Sequence, residues 1–298
     1  MKKTLGGLLF IGVVLMLAQV FWPVPTLSPF VAGQVDVIAH QGGNLEWPDS
    51  TRLAYDEAVE AGADVLEMDV HLTLDGHVVV MHDELVDRTT NGHGAIRNMT
   101  LAHLKTLDAA YWWPYHDLDD VTKTAVPEDA VFPFRGQGEQ IMTLADMFEA
   151  YPNHRFVVEL KSDRQTLRSA VLALLERYDR WDSVLLASFY QEALQAVRRE
   201  APQAQTYGAE AEIRLFYVLH RLYMERLFPY DIDAFAIPMQ SGGFDLSTPR
   251  FVQAARNAGI LLHYWTINDD ANMQALTALG VDGIITDRPA RLIDLQRP

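Results

Sequence analysis

The chain has 298 residues, 49% of them apolar, a formal net charge of −16 and no cysteine. This length suits one large α/β barrel, and the apolar fraction is enough for a substantial core. The acidic balance argues against nucleic-acid or anionic-membrane binding by simple electrostatics, and the missing cysteines exclude disulfides, thiolate metal sites, a cysteine nucleophile and lipidation on cysteine.

Lys2 and Lys3 precede an uncharged stretch running from Thr4 to Val35, with its apolar heart at Leu5–Trp22. Eighteen residues of helix rise about 27 Å, close to the hydrocarbon thickness of a bilayer. The stretch is longer than a signal-peptide core and has no convincing small-x-small cleavage site. Residues 1–22 are therefore read as an uncleaved transmembrane anchor, with a cleaved signal as the alternative. Residues 23–34 are the linker and 35–298 the catalytic domain. Lysines at the N-terminal end place that end in the cytoplasm and the barrel outside it, or in the periplasm or medium if the segment is cleaved.

From Val35 onward, strand-like runs at 35–39, 65–70, 77–82, 155–160, 184–188, 204–208, 234–238, 260–266 and 282–286 alternate with helical patterns. The helices are expected at 51–61, 143–151, 165–178, 190–200, 211–228, 248–258 and 269–279. This alternation predicts parallel strands with crossover helices, a (β/α)8 barrel. Nine strands are one too many. The short turn at Asp75-Gly76 accounts for it, because it predicts a hairpin of 65–70 with 77–82, setting Asp69 opposite His82. Residues 84–142 interrupt the alternation and are expected to cover the catalytic rim. Within them Thr100 predicts the cap of a short helix, and Arg135 is a candidate phosphate contact or an ordinary surface arginine.

The runs around residues 36–83 each end in His, Asp or Glu. Glu67 and Asp69 are two apart and share one face of a strand. Carboxylates that close repel unless a cation or a proton joins them, so a hard divalent ion is the economical explanation. Glu159 follows the buried run Phe156-Val157-Val158 and needs a partner for the same reason. Lys161 lies two residues further, on the same face. His40 ends the first strand before Gly42 and Gly43, and His82 arrives on the same rim; the pair suits general acid and base.

These residues resemble the signature of the glycerophosphodiester phosphodiesterase family: His-Arg-Gly, Pro-Glu-Asn-Thr, Glu-x-Asp-Val and His-Asp. Here they read His40-Gln41-Gly42, Pro48-Asp49-Ser50-Thr51, Glu67-Met68-Asp69-Val70 and His82-Asp83. The likeness recurs at Glu159-Leu160-Lys161, Trp265-Thr266-Ile267-Asn268 and Gly280–Pro289. The resemblance implies a (β/α)8 barrel, catalysis by His40 and His82, and one calcium or magnesium ion on Glu67, Asp69 and Glu159. It also implies substrate contacts by Gln41, Asp49, Lys161 and Trp265, the tryptophan lining the glycerol site. Two departures stand out: Gln41 replaces an arginine and loses a bidentate phosphate contact, and Asp49 is one methylene shorter than the family's glutamate. Whether Asp49 or Glu46 reaches the metal stays open.

Residues 213–230 are more apolar and aromatic than an outer barrel helix needs. They are read as a long barrel helix with a broad buried face, or as one that meets a bilayer or an acyl chain. The expected activity is hydrolysis of a small glycerophosphodiester to glycerol 3-phosphate and an alcohol. The alternatives are lysophospholipase D action on lysophospholipids, and a membrane-tethered binding protein without catalysis.

Overall fold

The computed structural model describes residues 28, 30, 33–115 and 126–297. The expected anchor at 1–22 and most of the linker lie outside them. Among the described residues no helix is long and apolar enough to cross a membrane.

All nine expected strands form: β1 (Asp36–Ala39), β2 (Val65–Leu72), β3 (Val78–Val80), β4 (Arg155–Leu160), β5 (Val184–Ala187), β6 (Gln205–Thr206), β7 (Ala234–Ile237), β10 (Leu261–Tyr264) and β11 (Gly283–Thr286). Two short strands, β8 (Gln240–Ser241) and β9 (Phe244–Asp245), add a hairpin that the sequence reading lacks. Eight strands pair in the order β6-β5-β4-β2-β1-β11-β10-β7. A bridge between Tyr207 and Ala234 brings β6 against β7, so the parallel barrel is nearly closed. Ile38, Val65, Val157, Leu185, Tyr207, Ala234, Leu261 and Ile285 fill its interior, and a larger apolar layer lies between strands and helices.

The ninth strand is the hairpin arm: β3 runs antiparallel to β2. Its register differs from expectation by one residue, with Val70 opposite Val80 and the Met81 N–H bonded to the Asp69 carbonyl at 2.9 Å. The loop holds three residues rather than two. The Thr73 N–H bonds the His77 carbonyl, and Gly76 supplies the left-handed residue (φ 83°) such a loop requires. One extra loop residue sets Met81, not His82, across from Asp69.

The helices form close to their expected limits, among them Arg52–Ala61 capped by the Thr51 side chain, Gln165–Tyr178, and Leu101–Leu104 capped by Thr100. The expected helix at 211–228 ends instead at Arg221. Tyr223 takes a left-handed conformation (φ 58°), and a separate 3-10 turn covers Glu225–Leu227. A terminal helix, Pro289–Gln296, is additional. Proline at its start and Glu46, whose carboxylate accepts the N–H groups of Ala290 and Arg291, fix its first turn.

The floor of the barrel is sealed from the linker. Phe30 is fully buried in the interior cluster, and its carbonyl accepts a 2.6 Å bond from Arg155, whose guanidinium also forks onto Asp36.

Candidate active site

Interior side chains alternate along each strand. Above the apolar layer of Val65 and Val157, the next inward positions are therefore Glu67, Asp69 and Glu159. In the β2–β4 register Asp69 is the neighbour of Glu159. One oxygen from each of the three carboxylates lies within 4.8 Å of the others. Burial, then the nearby Asp69 charge, pushes the Glu67 carboxyl well up and raises Glu159 as well. Burial alone would pull the Lys161 ammonium down, but Asp69 at 3.1 Å and Glu159 at 3.3 Å more than offset it and leave its pKa raised. Three carboxylates and one lysine leave a surplus of negative charge in a mostly buried pocket. An all-oxygen donor set of this kind fits calcium or magnesium and not a thiolate-seeking ion.

His40 sits in a one-turn 3-10 segment, His40–Gly42, directly after β1. The turn needs its glycines. A Cβ on Gly42 would lie 2.7 Å from the Ala54 Cβ, and Gly43 (φ 112°) is wedged against Trp47 and Pro289. Just before them Gln41 is held in the left-handed region (φ 53°, ψ 26°), a conformation that costs about 1–2 kcal/mol for a residue with a side chain. Contacts hold it there. Its N–H donates to Glu67 at 3.0 Å, its carbonyl accepts from the Ser50 N–H at 2.8 Å, and its side-chain amide donates to Asp69 at 3.2 Å. The residue replacing the family's arginine thus organises two of the three carboxylates. Its side-chain oxygen is buried and meets no donor among the described residues.

Each histidine is oriented by a carboxylate on Nδ1, and the Nε2 of His40 lies 3.4 Å from the Gln41 side-chain amide. For His40 the partner is Asp287 at 2.6 Å, itself clamped by Asn268 through one bond to its second oxygen (2.7 Å) and one from its own N–H (2.9 Å). Burial depresses the His40 pKa, but Glu67 and then Asp287 reverse this and hold it up at about 9. For His82 the partner is Asp83 at 2.6 Å, backed by Arg88 at 2.5 Å, which reaches on to Asp49 at 3.0 Å. Burial works to raise Asp83, yet His82 and Arg88 bring it down to about 2. The His71 ring lies 3.1 Å from the His82 carbonyl and steadies that turn.

Glu67, Asp69, Glu159, Lys161, Gln41 and His40 therefore share one cluster. Asp49 is engaged by Arg88, and Glu46 caps the last helix, so neither belongs to the carboxylate group. Trp265 stands on the rim, 37% exposed, with its ring edge-on to the exposed Phe189 at 6.1 Å. The Arg135 guanidinium is stacked on Phe132 and Tyr111 and bonded to the Tyr111 carbonyl. Asp83, Arg88, Asn268 and Asp287 received no role from sequence, although Asp83, Asn268 and Asp287 lie inside the quoted motifs and Asp287 directly follows β11.

A parallel barrel with carboxylates, a lysine and two carboxylate-oriented histidines at the C-terminal ends of its strands has the make-up of a phosphoryl-transfer or hydrolytic enzyme. The sequence profile of the glycerophosphoryl diester phosphodiesterase family matches residues 40–291, and the chain belongs to that family. It is 33% identical to a glycerophosphodiester phosphodiesterase of Caldanaerobacter subterraneus subsp. tengcongensis, over 88% of this chain and 97% of that one. Lysophospholipase D GDPD1 of Homo sapiens is 26% identical, over 86% of this chain and 84% of its own length. A phosphodiesterase from Oleispira antarctica, solved in complex with the product sn-glycerol-3-phosphate, superposes with a TM-score of 0.65 at 25% identity, covering 88% of this chain and 96% of that one. The chain is a phosphoric diester hydrolase, and the reading of a binding protein without catalysis is set aside.

Proposed function

We propose that the enzyme hydrolyses water-soluble glycerophosphodiesters to glycerol 3-phosphate and an alcohol, with one calcium or magnesium ion bound by Glu67, Asp69 and Glu159. The observation that carries the reading is the juxtaposition of this charged cluster with His40, whose Nε2 lies 3.9 Å from Glu67. When bound, the cation would neutralise phosphoryl oxygens and polarise the phosphorus toward attack. Lys161 and the Gln41 amide offer donors to the non-bridging oxygens. One histidine takes the proton of the attacking hydroxyl, from water or from the substrate's own glycerol, and the other returns a proton to the leaving alcohol; where the glycerol hydroxyl attacks, the cyclic phosphate it forms is then opened by water to glycerol 3-phosphate. Asp287 and Asp83 keep the two rings turned for this exchange, and Trp265 offers an apolar wall to the glycerol carbons. His40→Ala and His82→Ala should each abolish turnover of glycerophosphocholine without lowering the unfolding temperature, and full activity in either variant would remove that histidine from the mechanism.

A second reading, lysophospholipase D action on lysophospholipids, draws on Phe189, 76% exposed beside Trp265, and on the activity named for the human relative. The membrane part of the proposal rests on the uncharged segment Leu5–Trp22 as an anchor, with the barrel on the extracytoplasmic side.

A further inference from the structure

The reaction uses one end of the barrel, and the opposite end carries an apolar surface the reaction does not need. The helix Glu210–Arg221 leaves the catalytic rim after β6 and runs down the outside of the barrel. Its inner face, Glu212, Phe216 and His220, is buried. At its lower end the chain turns through Leu222 and Tyr223 and returns to the start of β7. There Val218, Leu222, Tyr223 and Tyr230 are exposed by 53, 54, 61 and 43%. Scattered apolar side chains on a surface are ordinary; four within thirteen residues, on the last turn of one helix and the segment after it, with the Arg250 guanidinium 4.4 Å from the Tyr223 ring, are a local concentration, called the patch below. Arg214 and Arg221 border it, both exposed. Because this patch sits at the N-terminal ends of the strands, it cannot line the acyl part of a substrate held by His40 and the carboxylates at their C-terminal ends.

The chain enters the barrel at the same place. The Ser28 hydroxyl donates to the Gln205 side chain at 2.6 Å, at the first residue of β6, beneath the seam of β6 and β7 from which the patch hangs. Six peptide steps separate Ser28 from Trp22, the last residue of the uncharged apolar segment. Fully extended they span about 20 Å. An eighteen-residue segment that matches the bilayer core is therefore tethered within about 20 Å of Ser28, at the end of the barrel that also carries the exposed apolar, arginine-edged surface.

We infer that the barrel stands on a lipid bilayer by its floor, with Val218, Leu222, Tyr223 and Tyr230 in the interface and Arg214 and Arg221 among the head groups. The inference rests on the anchor reading proposed above. It has a consequence for substrate. The twelve residues of Glu210–Arg221 separate floor from rim by about 18 Å. The catalytic mouth then opens away from the lipid, out of reach of a lysophospholipid seated in the same membrane. The substrates it meets are the water-soluble, deacylated diesters.

The absence of native cysteine allows a direct test in the full chain. Single variants Val218→Cys, Leu222→Cys and, on the rim, Leu45→Cys are labelled with a fluorophore and reconstituted into phosphatidylcholine vesicles. Brominated lipid should quench the labels at 218 and 222 at least twofold more than the label at 45, and aqueous iodide should show the reverse order. A label at 45 quenched by lipid as strongly as the others overturns the orientation while leaving the anchor intact. A chain that does not float with the vesicles overturns both. Cross-linking of Leu222→Cys between two chains, with its label shielded from both quenchers, shows that a second copy covers the patch and also overturns the inference. None of these readouts uses turnover, so they stand apart from the phosphodiesterase reading.

Discussion

Replacing Asp287 by asparagine is the sharpest perturbation of the proposed chemistry, because it keeps shape and changes only which atoms can accept. One carboxylate oxygen of Asp287 accepts from His40 Nδ1 at 2.6 Å, and the other accepts from the Asn268 amide at 2.7 Å. This puts the proton on Nδ1 and, in the neutral ring, the lone pair on Nε2, facing the cluster. In Asp287→Asn the Asn268 amide selects the new carbonyl oxygen, so the new NH2 group turns toward His40. Nδ1 must then accept and Nε2 carries the single proton of a neutral ring, so from that side the ring can serve neither as a base nor as the imidazolium acid that its raised pKa favours in the native enzyme. General acid–base catalysis contributes about 10²–10⁴-fold, so kcat should fall by about 10³, equivalent to about 4 kcal/mol of transition-state stabilisation. KM should stay within twofold, since the carboxylates, Lys161 and Gln41 are untouched, and Asn268→Ala should show a smaller loss of the same kind. The assay is steady-state release of glycerol 3-phosphate, with thermal unfolding as a control for folding. Retention of a third or more of wild-type kcat in a folded Asp287→Asn variant refutes the orienting role.

Phe30→Ala empties a fully buried aromatic site at the barrel floor and should cost about 3–5 kcal/mol in urea unfolding; a loss below 1 kcal/mol would show that Phe30 is not a structural plug. Glu67→Gln should raise the stability of metal-free protein by relieving the buried carboxylate repulsion, and shrink the stabilisation that added calcium or magnesium gives, which is about 2.7 kcal/mol at 100 times Kd for an intact site. An unchanged cation-induced shift would take Glu67 out of the metal site. His263 is fully buried, hydrogen-bonded to Tyr207, and burial lowers its pKa to about 3. The unfolded chain binds its proton near pH 6.5 and the folded one does not, so this group's stability is whole above pH 6.5 and is lost at about 1.4 kcal/mol per pH unit as pH falls below 6.5 toward 3. Unfolding measured from pH 7 to 5 should show a shallower slope in His263→Gln, and identical slopes would contradict the assignment.

Much of the fold was legible because each strand is a short apolar run bounded by polar residues, and the two-residue period of a strand alone put Glu67 and Asp69 on one face. The errors have local causes. The apolar run at Leu222, Leu227 and Phe228 continues a helical pattern past Arg221, where the left-handed Tyr223 stops it. The hairpin register turned on whether Leu74 belongs to the strand or the loop. The pairing of His40 with Asp287 was out of reach, because these residues lie 247 positions apart. Only the neighbouring of β1 and β11 aligns Ala39 with Thr286 and so sets the next residue of each strand side by side. The same applies to Arg88 and Asp49, joined across 39 residues. The partner of His40 is decided by the pairing of β1 with β11, and single-strand periodicity holds no record of it.

The most direct test of the central claim is phosphorus NMR of glycerophosphocholine incubated with chelator-treated full-length enzyme, followed by stepwise addition of magnesium or calcium. No turnover is expected before addition, then release of glycerol 3-phosphate that saturates with a single binding isotherm and is absent in Glu159→Gln at the same cation concentration. Undiminished hydrolysis in the presence of chelator, or a product other than glycerol 3-phosphate, would contradict that claim.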